Sequence, residues 1–314
     1  TAPNPMVGAV IVHRGVIIGE GYHHKAGEPH AEVMAIKSVK DPSLLTSSTL
    51  YCSLEPCAHY GKTPPCSLLI TNSQIPKVVI GCSDSNVLVN GKGIKHLQSH
   101  GVEVVFSADP TPFRQLNQVF FCNKEHKRPF VTLKWAQTLN GYLDRNRSIN
   151  EKASLISGPL AAVKSHQLRS DVDGILISVK TLNWDRPSLT TRNYHGTNPR
   201  PIILVNNTLP DSSALENLAL APLFIGNVSA LEGDKIDCDP YDIEQWLPEL
   251  LNYGVHHILV EGGGQVLQSF LDSGTVDQWH RFTSNVSING GITAPNPHSA
   301  QESYMLGTDL YERG

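Results

Sequence analysis

The residues best suited to chemistry are a histidine and a glutamate in "GEPHAEVMAI" (27–36), His30 and Glu32, and two cysteines in "EPCAHYGKTPPC" (55–66), Cys57 and Cys66. On a helix, positions two apart point roughly 200° from one another, so His30 and Glu32 are poorly placed to ligate one metal ion and must have different jobs. A histidine in the first turn can bind a metal directly. The longer glutamate reaches past it to a bound water. Cys57 stands where a strand is predicted to run into a helix, and a helix start favours the thiolate that a metal needs. Cys66 follows nine residues later, after a loop rich in Gly and Pro that can fold back on itself. One neutral imidazole, two thiolates and Zn²⁺ sum to zero charge and leave a fourth position open, which is the composition of a catalytic rather than a structural zinc site. Taken singly, His-x-Glu is most often a solvated turn and a cysteine a small buried hydrophobe. Their combination, each half following a strand, is what gives the signal weight.

Positioning such groups calls for strands that feed helices. "MVGAVIV" (6–12) and "GVIIGEGY" (15–22) predict a hairpin turning at His13 and Arg14, with a helix from Pro29, since proline suits the first helical position. "TLYCSL" (49–54) predicts a buried strand, "KVVIGC" (77–82) and "VEVVF" (102–106) two more around a helix near 93–100, and 110–124 a closing helix. Charged "NKEHKRP" (123–129) predicts a linker. Beyond it a second series places strands at 130–135, 174–178, 201–205, 222–226 and 256–260, helices near 159–169, 242–252 and 265–273, and loops at 189–200 and 226–241. Alternating strands and helices predict α/β architecture.

At 314 residues the chain is long enough for about two domains, and 40% apolar with 17% charged residues is ordinary for a globular protein. A net charge of −4 and the lack of a basic run argue against nucleic acid as a partner. No stretch approaches the roughly 18 uninterrupted apolar residues of a membrane span, and no charged segment followed by an apolar one marks a signal peptide. Six cysteines are too few and too scattered for a disulfide framework, so a reducing cytoplasm is the expected compartment. Homo-oligomerisation is left open.

His-Ala-Glu followed by Pro-Cys and a further cysteine is the pattern of zinc-dependent nucleobase deaminases, in which the glutamate shuttles protons and is not a ligand. The familiar version has two residues between the cysteines, whereas eight stand here. That spacing, together with "TAPNPMVGAVIV", "GYHHKAGEPHAE" and "LEPCAHYGKTPPC", resembles the bifunctional riboflavin-biosynthesis deaminase/reductase family, most strongly over 2–86. The resemblance implies a cytidine-deaminase-like three-layer α/β/α domain over 1–126 that removes the ring amine of a phosphoribosylated diaminopyrimidinone. A dihydrofolate-reductase-like α/β domain over 127–314 would then use NADPH to reduce the ribose of the deaminated product. It makes His30, Cys57 and Cys66 the zinc ligands and Glu32 the general acid/base, with Asn4, His23, His59, Lys62, Asp84 and Asn86 as contacts to a phosphorylated pyrimidine. Met34, where many relatives carry a second histidine, reads as packing.

In the second half, "VEGGGQVLQSFL" (260–271) predicts strand, glycine turn and helix, a geometry that offers backbone amides to a phosphate. With "RPFVTLKWAQTLNG" and "WDRPSLTTR" it resembles the family's reductase, which implies Lys134 and Asp185 as catalytic groups and Arg169, Arg192 and Glu261 on the substrate side. Ser157, Gly262, Gly263 and Gly264 would face NADPH. Departures are Ser178 and Lys180 in place of glycines, Asn140 in place of an aspartate, and a missing proline in "RFTSNVSINGG". They keep open a second reading, a deaminase whose second domain no longer reduces. A third, a non-catalytic zinc module for nucleotides or RNA, fits poorly with Glu32 beside an open metal position.

Overall fold

The computed structural model describes residues 1–60, 64–85, 91–149, 151–297 and 299–314, and the chain divides into two compact units, Thr1–Lys127 and Arg128–Gly314. In the first unit the elements are β1 (Gly8–His13), β2 (Val16–Tyr22), α1 (Ala31–Ser38), β3 (Thr49–Leu54), α2 (Cys66–Asn72), β4 (Lys77–Cys82), α3 (Lys92–Ser99), β5 (Glu103–Phe106), α4 (Thr111–Leu116) and α5 (Gln118–Glu125). Among the described residues they build one sheet in the order β2-β1-β3-β4-β5. β1 is antiparallel to both neighbours, and β3, β4 and β5 run parallel. The predicted hairpin forms, turning through Arg14 and Gly15, both at positive φ, as a two-residue turn matched to strand twist requires.

Ile11, Leu50 and Ile80 on one sheet face pack under Ala31, Ala35, Ile70 and Leu97 of α1, α2 and α3. Two glycines of β2 permit the close seat of α1. A Cβ on Gly19 would stand 2.6 Å from the Ala35 carbonyl oxygen, and one on Gly21 2.4 Å from the Met34 Cβ. Met34 therefore packs, as expected. The predicted helix over 110–124 is two helices, because buried Asn117 at the break turns its side chain to the backbone of Met6. It accepts from the Met6 N–H at 2.7 Å and donates to the Met6 carbonyl at 2.8 Å, tying the first strand's approach to the end of the unit.

The second unit contains β6 (Phe130–Gln137), β7 (Tyr142–Asp144), α6 (Pro159–Ser170), β8 (Gly174–Ser178), α7 (Val179–Asp185), β9 (Arg200–Val205), α8 (Ser212–Leu215), β10 (Leu223–Gly226), β11 (Lys235–Asp237), α9 (Ile243–Trp246), β12 (His257–Gly262), α10 (Gly264–Asp272), β13 (Gln278–Thr283), β14 (Ile292–Thr293), β15 (Glu302–Leu306) and β16 (Asp309–Arg313). The main sheet runs β11-β10-β9-β8-β12-β6-β13-β16-β15, and β14 pairs with β7. From β11 to β13 the neighbours are parallel, and β16 returns antiparallel on β13. All five strands expected here are present. β11 lies within a predicted loop, and the predicted helix near 242–252 ends as α at Trp246, then continues as a tighter 3-10 turn over Leu247–Tyr253. Pro248 has no N–H to continue the α ladder.

The order of this sheet sets the site. After β6 the chain builds outward through β8, β9, β10 and β11, then returns to insert β12 between β8 and β6 before crossing to β13. Strand order reverses at β12, and in open α/β sheets the crevice at the carboxyl ends of strands flanking such a reversal is where ligands bind.

Candidate functional site

His30, Cys57 and Cys66 come together. Their ligand atoms all lie within 4.8 Å of one another, with His30 Nδ1 3.6 Å from Cys57 Sγ and 3.3 Å from Cys66 Sγ. Tetrahedral bonds of zinc length to one nitrogen and two sulfurs separate nitrogen from sulfur by about 3.6 Å, so the donor set fits zinc in type and in spacing. The local structure differs from expectation in two ways. His30 is the residue capping α1, with extended backbone, so only Glu32 is within the helix. And the helix after β3 starts at Cys66, not Cys57: the Gly/Pro-rich connection delays it, and the Cys66 amide donates back to the Cys57 sulfur at 3.3 Å. Hydrogen bonding from the Cys66 thiol, then from His30 and that amide, outweighs burial and holds the Cys57 pKa down to about 4. The Cys66 thiol is pushed up in return by the same bond and by burial. His30 is raised, chiefly by its hydrogen bond to Cys57.

Glu32 is 3% exposed. Burial pushes its carboxyl above the ordinary range, while hydrogen bonds to its own backbone and to Cys66 and the charge of His30 pull it back. Glu32 thus shares its electrostatic environment with the ligand cluster. Around it, His23 Nδ1 donates to the Pro29 carbonyl at 3.1 Å, which leaves Nε2 to accept from the Asn4 amide at 3.1 Å, and the His23 ring meets His30 edge-on at 5.5 Å. Asn4 and His23 thus stand beside the cluster. Asp84 is buried, and its amide points to Glu55 at 3.5 Å. His59 is exposed after Cys57. Lys62 and Asn86 lie outside the described residues.

In the second unit a 550 Å³ cavity opens where the strand order reverses at β12, with Lys134, Asp185, Glu261, Gly263 and Gly264 in its wall. Lys134, in the second half of β6, and Glu261, near the end of β12, approach to 3.9 Å. Arg169 of α6 grips the same carboxylate with two bonds, Nε at 2.8 Å and Nη2 at 2.7 Å, and donates to the Thr190 carbonyl. Side-chain exposures of 15, 11 and 13% for Lys134, Glu261 and Arg169 leave little water to screen them. Burial pushes Glu261 up, but Arg169 and Lys134 outweigh it and hold the carboxyl at about 2. Lys134 is lowered by burial, with Glu261 opposing and Arg169 adding.

Asp185 does not join this trio. Its carboxylate bonds Arg147, which also donates to Asp144 at 2.6 Å and to the Glu151 carbonyl at 2.8 Å. Arg147 and Asp144 line the cavity too. Both were missed in sequence, where "YLDRNR" offered an acid and a base three apart and nothing more. Arg192 is exposed, donating to Ser188 Oγ at 3.3 Å, and Ser157 precedes the Gly158 amide that caps onto Asp309; neither is part of the described cavity wall. Gly262 turns the chain at φ +137°, and a Cβ on Gly264 would stand 3.1 Å from Leu143 and from Ile292. Ser178, in place of a glycine, caps α7 by accepting from the Thr181 amide at 3.1 Å. Asn140 uses an ability that aspartate lacks, donating to the Ile288 carbonyl at 2.8 Å while accepting from Thr138.

Two family models match the chain: the cytidine and deoxycytidylate deaminase zinc-binding region over 1–82, and the RibD C-terminal domain over 129–302. The riboflavin biosynthesis protein RibD of Aquifex aeolicus is 36% identical over 93% of this chain and 84% of its own length, and that of Synechocystis 34% over 95% and 82%. A crystal structure of a diaminohydroxyphosphoribosylaminopyrimidine deaminase/5-amino-6-(5-phosphoribosylamino)uracil reductase from Thermotoga maritima superposes with a TM-score of 0.86 at 32% identity, covering 99% of this chain and 92% of that one. The chain belongs to the RibD family of bifunctional riboflavin-biosynthesis deaminase/reductases.

Proposed function

We propose that the first unit hydrolyses the ring amine of diaminohydroxyphosphoribosylaminopyrimidine and that the second reduces the ribose of the resulting 5-amino-6-(5-phosphoribosylamino)uracil with NADPH. The observation that carries the reading is the His30–Cys57–Cys66 cluster of zinc geometry, with the buried Glu32 in the first turn of the helix that His30 caps. Zinc held by those three residues would lower the pKa of water to about 7. Glu32, with its proton affinity raised by burial, takes the proton at a carboxylate oxygen and hands it to the departing amine. His23, fixed in one tautomer by Pro29 and Asn4, and Asp84 orient the ring; His59 and Lys62 suit the phosphate.

In the second unit, NADPH supplies the hydride. Ser157 and Gly262–Gly264 are the residues we assign to its binding; of these Gly263 and Gly264 line the cavity, which Ser178 and Lys180 also border. As hydride reaches the open-chain carbonyl or imine of the ribosylamine, Lys134 Nζ stands to meet the developing negative charge, kept cationic by Glu261, which Arg169 orients. Asp185, aligned by Arg147, contacts the ribose hydroxyls, and exposed Arg192 is available to the phosphate. Among the described residues no helix is long and apolar enough to cross a membrane. Incubation with the diaminopyrimidinone ribotide, with and without NADPH, tests both halves. Ammonia release in either case and NADPH oxidation following it are expected; ammonia without NADPH oxidation would overturn the reductase half.

A further inference from the structure

The strap that carries Cys57 begins with a second buried carboxylate that the chemistry above does not use. Glu55, two residues before the ligand and 4% exposed, accepts from four backbone amides. Oε2 takes Asp84 at 3.5 Å and Gly91 at 3.1 Å; Oε1 takes Gly93 at 3.2 Å and Ile94 at 3.4 Å. These amides belong to the two ends of one connection, Asp84 just after β4 and Gly91, Gly93 and Ile94 at the start of α3. A second contact holds the same parts together. A Cβ on Gly93 would fall 1.9 Å from the Pro56 carbonyl oxygen, so α3 can start where it does only because residue 93 is glycine.

We propose that Glu55 is a positioning residue of the deaminase site, resting on the deaminase reading above. Its carboxylate gathers both ends of the β4–α3 connection onto the Cys57 strap and so fixes where Asp84 stands relative to the zinc ligands. Charge matters to this task because one carboxylate offers acceptor sites to several N–H groups at once. A glutamine in its place keeps one oxygen and turns an NH₂ against amides that can only donate. The disturbance falls on the residues that hold the pyrimidine, not on Glu32 or the ligand atoms.

The test is steady-state ammonia release from the diaminopyrimidinone ribotide by wild type, Glu55→Gln and Glu55→Asp, with zinc content and NADPH oxidation on the deaminated ribotide measured in each. Glu55→Gln is expected to raise KM by about tenfold or more while kcat stays within about threefold, since weakened ground-state and transition-state binding move KM alone. Zinc content and NADPH oxidation stay at wild-type levels. Glu55→Asp, which keeps the charge on a shorter arm, falls between. Should the glutamine variant fail to fold, losing both activities, the aspartate variant carries the same KM-against-kcat comparison. An unchanged KM in a folded variant, or zinc lost in step with ammonia release, would overturn the proposal. Wild-type protein that releases no ammonia would overturn the deaminase reading itself, and this proposal with it.

Discussion

Replacing Glu261 with glutamine removes one negative charge from between two buried cations. The carboxylate takes two bonds from Arg169 and has Lys134 3.9 Å away. At that separation and an effective dielectric of about 20, the attraction for Lys134 is worth about 4 kcal/mol, roughly a thousandfold in proton affinity. Burial and the Arg169 charge already pull Lys134 below the ordinary lysine range, and Glu261 is what opposes them. Without it the depressing influences act unopposed. If Lys134 meets the developing charge as a cation, the high-pH limb of NADPH oxidation should move by about one to three pH units toward acid, the upper figure being the full Coulomb estimate. Activity returns in part on lowering the pH, where Lys134 regains its proton. The assay is NADPH absorbance across a pH series with the deaminated ribotide, and ammonia release from the other unit serves as control. A rate that falls by the same factor at every pH, with the limb unmoved, would refute Lys134 as the group whose charge serves the reduction.

Three further outcomes are expected. Glu32→Gln should keep zinc and substrate binding yet lose about 10²- to 10⁴-fold in kcat for ammonia release, the usual share of a positioned acid/base group; near-normal turnover would show that another group moves the proton. Cys66→Ala should remove zinc and deamination together while NADPH oxidation persists, and elemental analysis showing full zinc in that variant rejects the ligand assignment. Acid should unfold the second unit through His257 and His280, which burial depresses from 6.5 to about 4 and about 3. The unfolded chain takes up these protons below about pH 6.5 and the folded chain does not. Stability is therefore full above that pH and falls by about 1.4 kcal/mol per pH unit for each histidine as the pH drops toward the folded values. All four tryptophans lie in Arg128–Gly314, so urea titrations followed by tryptophan fluorescence between pH 7 and 4.5 report this unit, and a pH-independent midpoint would contradict the sign.

The zinc cluster was legible because its residues are chemically rare and their local sequence is distinctive. Each of the cluster's three residues could be named before any geometry. Which of them begins a helix was not, since the ten residues from Cys57 to Cys66 contain Gly and Pro enough to start or delay one, and only packing decides. Glu55 escaped notice for a related reason: a glutamate before Pro-Cys looks like solvated charge, and its partners are backbone amides far along the chain, which have no sequence signature. In the second unit the hydrophobic strands were visible as continuous apolar runs. β13 and β16 were not, because His280, Arg281, Glu312 and Arg313 interrupt their apolar pattern, and those charges are tolerated only through cross-strand pairing, such as Arg281 with Glu312 at 2.7 Å. The partner of Asp185 was likewise unreadable. Arg147 reaches it from 38 positions away.

β12 keeps step with β6 through Val260, yet on its other side the register against β8 slips between Val260 and Gly262, so Glu261 is the extra residue of a bulge. Bulges bend a strand and end regular pairing. Chain length is thus a functional quantity at this point. Deleting Glu261 would let β12 and β8 zip in register to their ends and would draw the glycine turn one residue back along the strand. Substitutions here tune the site, whereas a change in length moves its wall.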